Sequence, residues 1–449
     1  MDVRKKKTKE MYTVLGGRAD FARAATLATV AALTLTACGG SENTVDAFAP
    51  GAWPTSYGDA RNNNTTEHSG LSEGALDWSR ALGGTVVSPT SIAASGQMFV
   101  STNTEAGCNL FSFEIDSGRK RWCNRVGPSV ATATPLVDSV ANIYIGDDGG
   151  FSSFNEHGQL RWRTPTYGVP RSAQFLGDGS VLAVTQFGQI NILDTQTGLS
   201  TVPIHDLVSP PAFLESPDTD FLPPATGLDD CARGGEECPV AAQPAVDLES
   251  SNIYLVLWRP GAIAPQLVSL HFDATATPAV TERWSSELLP AAVTSSPVLS
   301  DDGNTVYFAD VDGRLSAYNA ADGSPKWTYG VGLGASSTPS VSAGGTIVPA
   351  GGERTVRALR DDGDHASPVW ERDDLRQLGI PVQTADGTVL AVTGRGDELV
   401  LSSLDAGSGA TISDRPLPGA TGFTVGTSVG PDGQVVTSTY LGEIFTYAP

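Results

Sequence analysis

The sequence is poor in charge (17% Asp, Glu, Lys and Arg). It has no heptad pattern and no long helical stripe of apolar residues, which excludes coiled coils and helical bundles. Its most extended uncharged, mostly apolar run, Ala24 to Ala37, is too short to span a bilayer as a stable helix. The five histidines (His68, His157, His205, His271, His365) are scattered without metal-ligand spacing. No two of the five cysteines are adjacent. Against these absences stand 50 glycines and 29 prolines spread evenly through β-rich sequence, which reads as an all-β array.

The pattern is clearest from Asp301 to Tyr329. Val306 and Phe308 alternate with Thr305 and Tyr307, and Leu315 and Ala317 alternate with Arg314 and Ser316, the two-residue period of half-buried strands. Asp310-Val311-Asp312-Gly313 and Ala320-Ala321-Asp322-Gly323 supply the glycine that tight hairpins require. With Thr294 to Leu299 in front and Trp327 behind, this makes four hairpin-linked strands in about forty residues, one propeller blade.

The phrase recurs. Registered on Pro297, the units fall at Pro89, Pro135, Ala173, Pro244, Pro297, Pro339, Pro381 and Thr427, with spacings of 46, 38, 71, 53, 42, 42 and 46 residues. The fourth strand of most units carries a tryptophan (Trp122, Trp162, Trp284, Trp327, Trp370); in the third unit that place falls near Val202 and in the seventh near Ile412. The eighth unit ends at Pro449 with three strands, and Ala75 to Ser79, carrying Trp78, supplies the fourth. The expectation is an eight-bladed β-propeller over residues 53–449 with four-stranded antiparallel blades, its ring closed by the N-terminal strand, which removes the exposed edge that an open array would leave. The long third interval places an insertion at 199–242, rich in proline and aspartate, with about equal claims to a binding role and to mere decoration.

The N-terminus is a targeting segment rather than part of the fold. A basic region (Arg4, Lys5, Lys6, Lys7, Lys9, then Arg18 and Arg23) precedes the apolar run, which ends Leu35-Thr36-Ala37-Cys38. This resembles a bacterial lipoprotein signal, which implies cleavage after residue 37, acylation of Cys38 with palmitate-type chains, and a flexible tether over 38–52. Translation starts at Met1 or Met11. Residues 1–37 hold seven of the 28 basic and three of the 50 acidic residues, so the remainder carries 21 against 47. A net charge near −26 argues against nucleic acid and anionic lipid surfaces as partners of the folded part. Apart from Cys38, four cysteines remain; in an exported protein they read as disulfides, and proximity suggests Cys108–Cys123 and Cys231–Cys238 among three possible connectivities.

Asp116-Ser117-Gly118-Arg119-Lys120-Arg121-Trp122, Gly158-Gln159-Leu160-Arg161-Trp162 and Asp322-Gly323-Ser324-Pro325-Lys326-Trp327 resemble the repeat signature of the PQQ-type, quinoprotein-like β-propellers. Trp53-Pro54 to Asn64 resembles the lead-in of such propellers. The resemblance implies that Trp78, Trp122, Trp162, Trp284, Trp327 and Trp370 dock neighbouring blades. It leaves function open, since the family holds dehydrogenases, an outer-membrane assembly lipoprotein and sensor domains. The adjacent cysteines expected of the cofactor-dependent enzymes are missing, so no cofactor and no metal are expected.

Other candidates read as structure. Gly426-Thr427-Ser428-Val429-Gly430 matches a nucleophile elbow but lies in a strand with no following helix. Asp310-Val311-Asp312-Gly313 and Asp147-Asp148-Gly149 lack the further ligands of a calcium loop. Arg395-Gly396-Asp397, Asp229-Asp230, Glu236-Glu237 and Asp373-Asp374 read as solvated loops. With no catalytic set, the expected function is a monomeric protein-binding scaffold in the bacterial envelope, anchored on the outer face of the cytoplasmic membrane or on the outer membrane. The alternatives are a PQQ-dependent oxidoreductase or a ligand-sensing propeller.

Overall fold

The alternating segments become strands, and hairpin turns set the order in which they pair. In the unit from Val298 to Gly330, strands Val298–Leu299, Thr305–Ala309, Arg314–Asn319 and Pro325–Gly330 pair each with the next, all antiparallel. The computed structural model describes residues 53–70, 74–209, 223–332, 337–351 and 355–449. Among these are eight such sheets, numbered here as blades 1 to 8 in chain order, with first strands beginning at Ser91, Leu136, Pro170, Ala245, Val298, Ser337, Val382 and Thr424.

The ring closes through sequence-distant pairing. Leu76–Ala81 lies antiparallel to Glu443–Tyr447 and gives blade 8 its outer strand. The seam is tied on the inside by Ser428, whose Oγ donates to the Thr90 carbonyl at 2.6 Å. The serine of the elbow-like motif is therefore a buried link between the last blade and the first.

Two blades depart from the simple pattern. In blade 3 the fourth strand is His205–Asp206, paired to Gln189 and Ile190, while Ser200 makes only an isolated bridge to Leu193. Val202 falls between the two. Blade 7 has two additional strands: Arg376–Gln377 against Thr393 and Gly394, and Thr65–Thr66 parallel to Gln383 and Thr384 on its inner edge.

A β-bulge sits beside each fourth-strand tryptophan. In blade 1 the ladder passes from Ser112↔Trp122 to Phe113↔Lys120, leaving Arg121 as the additional residue. Such a bulge re-aims the neighbouring side chain, and here each indole meets the following blade. Trp122 Nε1 donates to the Glu156 carbonyl at 2.8 Å, and its ring lies over Gly158, where an added Cβ would stand 2.6 Å from the indole. Trp78 with Ile115 and Gly118, Trp162 with Thr195 and Gly198, Trp284 with Ala320 and Gly323, and Trp370 with Ala406 and Gly409 repeat the arrangement. Trp327 differs: its Nε1 donates to the Asp361 carboxylate at 2.8 Å. Blade 7 keeps the bulge at Ile412 without a tryptophan, the place of the indole being taken by Ser413.

The core is accordingly not one mass but a series of apolar layers between blades, such as Leu136, Tyr144, Phe151, Trp162, Phe175 and Val181 between blades 2 and 3. Among the described residues no helix is long and apolar enough to cross a membrane.

Candidate functional site

The axis of the ring is where a propeller ordinarily leaves space, and here a chain segment occupies it. Twelve residues, Trp53 to Asn64, reach seven blades. Trp53 bridges to Ile92 of blade 1, and the carbonyls of Pro54, Ala60, Arg61, Asn63 and Asn64 accept from the backbone N–H of Val137, Val246, Leu299, Val341 and Gln383. Each of these five donors lies two residues after a register proline (Pro135, Pro244, Pro297, Pro339, Pro381), so blades 2, 4, 5, 6 and 7 present an N–H to the segment at the same position of the repeat. A segment of at most about 40 Å contour can touch so many blades only by running around the axis.

Asn62 is the hub of this segment. It is fully buried with φ of +62°, a left-handed conformation that asparagine tolerates better than most residues. Its Oδ1 accepts from Gln174 Nε2 (3.0 Å) and Gln243 Nε2 (2.8 Å), and its Nδ2 donates to the carbonyls of Pro244 (3.0 Å) and Pro297 (2.9 Å). One side chain thus ties blades 3, 4 and 5. Asn64, also left-handed (φ +51°), donates to the Pro339 carbonyl at 3.2 Å. Sequence reasoning identified this stretch as a lead-in but not as an axial plug. The signal available was the Asn62-Asn63-Asn64 run, whose residue type suits positive φ.

The plug divides the axial space. On one side is an open cleft of about 870 Å³, bordered by Asp59, Glu67, Asp301, Thr346 and Thr384, at the end of the blades bearing the first-to-second strand turns. Asp59 Oδ1 accepts from Arg61 N at 3.0 Å, and burial is the main cause that pushes its carboxyl up to about 6. On the other side is a smaller cavity of about 270 Å³, lined by the residues that lead into the first strands of blades 1 to 5 and by Cys231 and Ala232.

Those two residues belong to the insertion between blades 3 and 4, which ends over the smaller cavity. Cys231 and Cys238 are joined, as are Cys108 and Cys123. Asp230 organises the loop between the first pair: it accepts from Glu237 N at 3.0 Å and pairs with Arg233 at 3.1 Å. The insertion is held to the disc by Gln186, which donates to the Pro224 carbonyl at 2.6 Å and accepts from Val240 N at 3.1 Å through its own carbonyl. Beside it lies an open groove of about 730 Å³ lined by Glu236, Glu237, Trp258 and Ile263, the last 88% exposed.

The same end of the blades carries the second-to-third strand turns. On blade 8 it presents Phe423 (53% exposed) stacked on Tyr440 at 5.1 Å, with Leu441 beside them; on blade 3, Tyr167 stacks on Phe187 at 4.9 Å. This end is called the insertion face below.

The remaining sequence candidates resolve into turns. Asp310 accepts from the backbone of Asp312 and Arg314, both at 3.0 Å, and pairs with Arg314 Nε at 2.7 Å. Asp147 accepts from Gly127 N at 2.9 Å and Gly149 N at 2.7 Å and is paired with Arg163, while Asp148 accepts from Ser129 N at 2.7 Å. Asp374 is held by Arg372 through two hydrogen bonds of 2.7 Å, and Arg395 pairs with Asp414. His365 pairs with the adjacent Asp364 at 2.7 Å. Among the described residues no three His, Cys, Asp or Glu side chains gather as metal ligands. Cys38 and the tether 38–52 lie outside the described residues.

The repeat agrees with what comparison finds. The protein family described as outer membrane protein assembly factor BamB matches residues 66–208 and 274–447. The chain belongs to this family of PQQ-repeat propellers. Among relatives, Protein Rv3035 of Mycobacterium tuberculosis (strain ATCC 25618 / H37Rv) is 38% identical over 419 residues, covering 92% of this chain and 99% of its own. Among solved structures, BamB from Moraxella catarrhalis superposes with a TM-score of 0.55 at 16% identity, over 84% of this chain and all of that one. The quinohemoprotein alcohol dehydrogenase of Comamonas testosteroni gives 0.60 at 13% identity, over 90% and 81%. At such identities the structures share the fold, and the family match does not extend over residues 209–273, which hold most of the insertion and of blade 4.

Proposed function

We propose that the protein is an extracytoplasmic scaffold of the bacterial envelope, anchored through acylated Cys38 and the tether 38–52, whose insertion face holds a protein partner. The observation that carries the reading is the concentration of exposed aromatic and apolar groups on that face. Phe423, Tyr440 and Leu441 on blade 8 and Ile263 on blade 4 lie at the end of the blades that carries the insertion, a segment mostly outside the family match, while the axis behind is plugged. A rigid disc with such groups on one face suits capture of a partner, since exposed apolar groups rimmed by polar residues mark interaction sites. The groove carries Asp230, Glu236 and Glu237 against Arg233 alone, which favours a partner with basic side chains at its rim. Membership in a family described as an outer membrane assembly factor supports an envelope setting. The disc is read as a monomer, its ring completed within one chain and each blade leaving only a short strand at its edge.

The test is crosslinking in intact envelopes, recovery of the acylated protein and quantitative mass spectrometry, for the wild type and for a variant carrying Phe423→Ser, Leu441→Ser and Ile263→Ser. The expected result is an envelope protein recovered in near-equal amount with the wild type and depleted several-fold with the variant. Equal recovery by both, or no stoichiometric envelope protein with either, overturns the reading. A quinone absorption spectrum with calcium-dependent dye reduction would make the protein an oxidoreductase instead.

A further inference from the structure

The smaller axial cavity contains an arginine that no carboxylate among the described residues neutralises. Arg171 lies in the first strand of blade 3, where the ladder passes from Pro170↔Thr185 to Ser172↔Val184 and leaves it as the additional residue of a β-bulge. A bulge at an inner strand turns a side chain out of the sheet, and the Arg171 side chain lines the axial cavity. There the guanidinium makes one hydrogen bond, from Nη1 to the Ala241 carbonyl, while its buried Nε has no partner among the described residues. No carboxylate among the described residues comes within ion-pairing distance of it, although the chain carries 50 Asp and Glu against 28 Lys and Arg. The cavity is otherwise walled by hydroxyl and amide groups (Ser88, Thr132, Ser172, Gln243) and by apolar surface from Val87 and Cys231, with no acidic side chain. Burial lowers the Arg171 pKa to about 10, which leaves the group charged at neutral pH.

A half-buried cation whose Nε is closed to solvent and without a partner among the described residues is costly unless something completes it. The Nε–Nη2 edge is the one that donates two parallel hydrogen bonds to a carboxylate. At about 30 Å³ per water, 270 Å³ holds about nine waters or an organic acid of comparable volume. One positive charge balances one negative charge, so a monocarboxylate fits better than a phosphate dianion, and the mixed hydroxyl and apolar wall suits an organic body behind the carboxylate. We infer that the axial cavity between the plug and the insertion is a binding site for a small organic monocarboxylate, held by Arg171. The inference is independent of the partner-binding reading, because the site faces the axis and not the exposed rim.

The test is isothermal titration calorimetry of the full chain at pH 7 and constant ionic strength, with sodium pyruvate, sodium acetate and inorganic phosphate as probes. A saturable one-to-one heat with pyruvate or acetate is expected, stronger than with phosphate. Both Arg171→Lys, which keeps the charge without the flat paired edge, and Arg171→Gln are expected to weaken it about ten- to a hundred-fold. As a readout that does not rely on a variant folding, the Arg171 Nε–H resonance of arginine-labelled protein should shift on adding pyruvate. Absence of saturable heat with either carboxylate up to about 10 mM, or undiminished binding by Arg171→Gln, overturns the site. Tighter binding of phosphate than of both carboxylates overturns the ligand class.

Discussion

If Asn62 is the knot of the axial plug, replacing it should cost far more than a surface substitution. Asn62→Ala leaves the Gln243 amide and the Pro297 carbonyl without that partner in a site closed to solvent, while the Gln174 amide and the Pro244 carbonyl keep a 3.3 Å hydrogen bond to each other. At about 1 kcal/mol or more for each of the two groups so orphaned, the loss is about 2 kcal/mol. Holding alanine at φ +62° adds about 1 kcal/mol. The sum of about 3 kcal/mol is a large share of the stability of many domains. Urea unfolding followed by tryptophan fluorescence measures it, with Asn62→Gly as the second arm. Glycine loses the same bonds but not the backbone strain, so it should lie about 1 kcal/mol above alanine. A loss of less than about 1 kcal/mol for Asn62→Ala would refute the hub, and equal losses for alanine and glycine would refute the strain term.

Three further outcomes follow from the same geometry. Gly158→Ala puts a Cβ 2.6 Å from the Trp122 ring at φ +78° and should cost about 2 to 4 kcal/mol, whereas Gly345→Ala, at φ +76° with open space around it, should cost only about 1 kcal/mol by the same urea assay. Asp59, raised above its unfolded value to about 6, binds its proton more tightly in the folded state. Its contribution to stability is therefore present at low pH and is lost as pH rises from about 4 to about 6, by at most about 3 kcal/mol; Asp59→Asn should remove that loss, as melting curves at pH 4 and pH 7 will show. Cys231→Ser with Cys238→Ser opens a short loop whose closure is worth about 2.5 kcal/mol, and limited proteolysis should then cut the insertion while leaving the propeller blades intact.

What the sequence made legible was everything governed by short-range pattern. Alternation of Val306 and Phe308 with Thr305 and Tyr307 gives the strand, Gly313 gives the turn, and an orphan strand at Leu76 with three strands left at Tyr447 gives the closure. What it concealed depends on partners far along the chain. The Asn62 side chain bonds to Pro297, 235 residues away, and no local period marks such a pair. The bulge that turns Arg171 toward the axis is likewise set by the tertiary ladder, not by composition. In blade 3 the fourth strand moves to His205–Asp206, because the strand reads by its pairing to Gln189 and Ile190 and not by the tryptophan it lacks.

The central claim is that the insertion face meets a protein partner, and site-specific photo-crosslinking in living cells addresses it most directly. A photoreactive amino acid would replace Phe423 or Ile263 on that face, and Val140, an exposed residue of the opposite face, would carry the same probe as the comparison. Adducts with one envelope protein from Phe423 and Ile263, and none from Val140, are the predicted result. Adducts from Val140 alone, or no adduct from any of the three, would contradict the account.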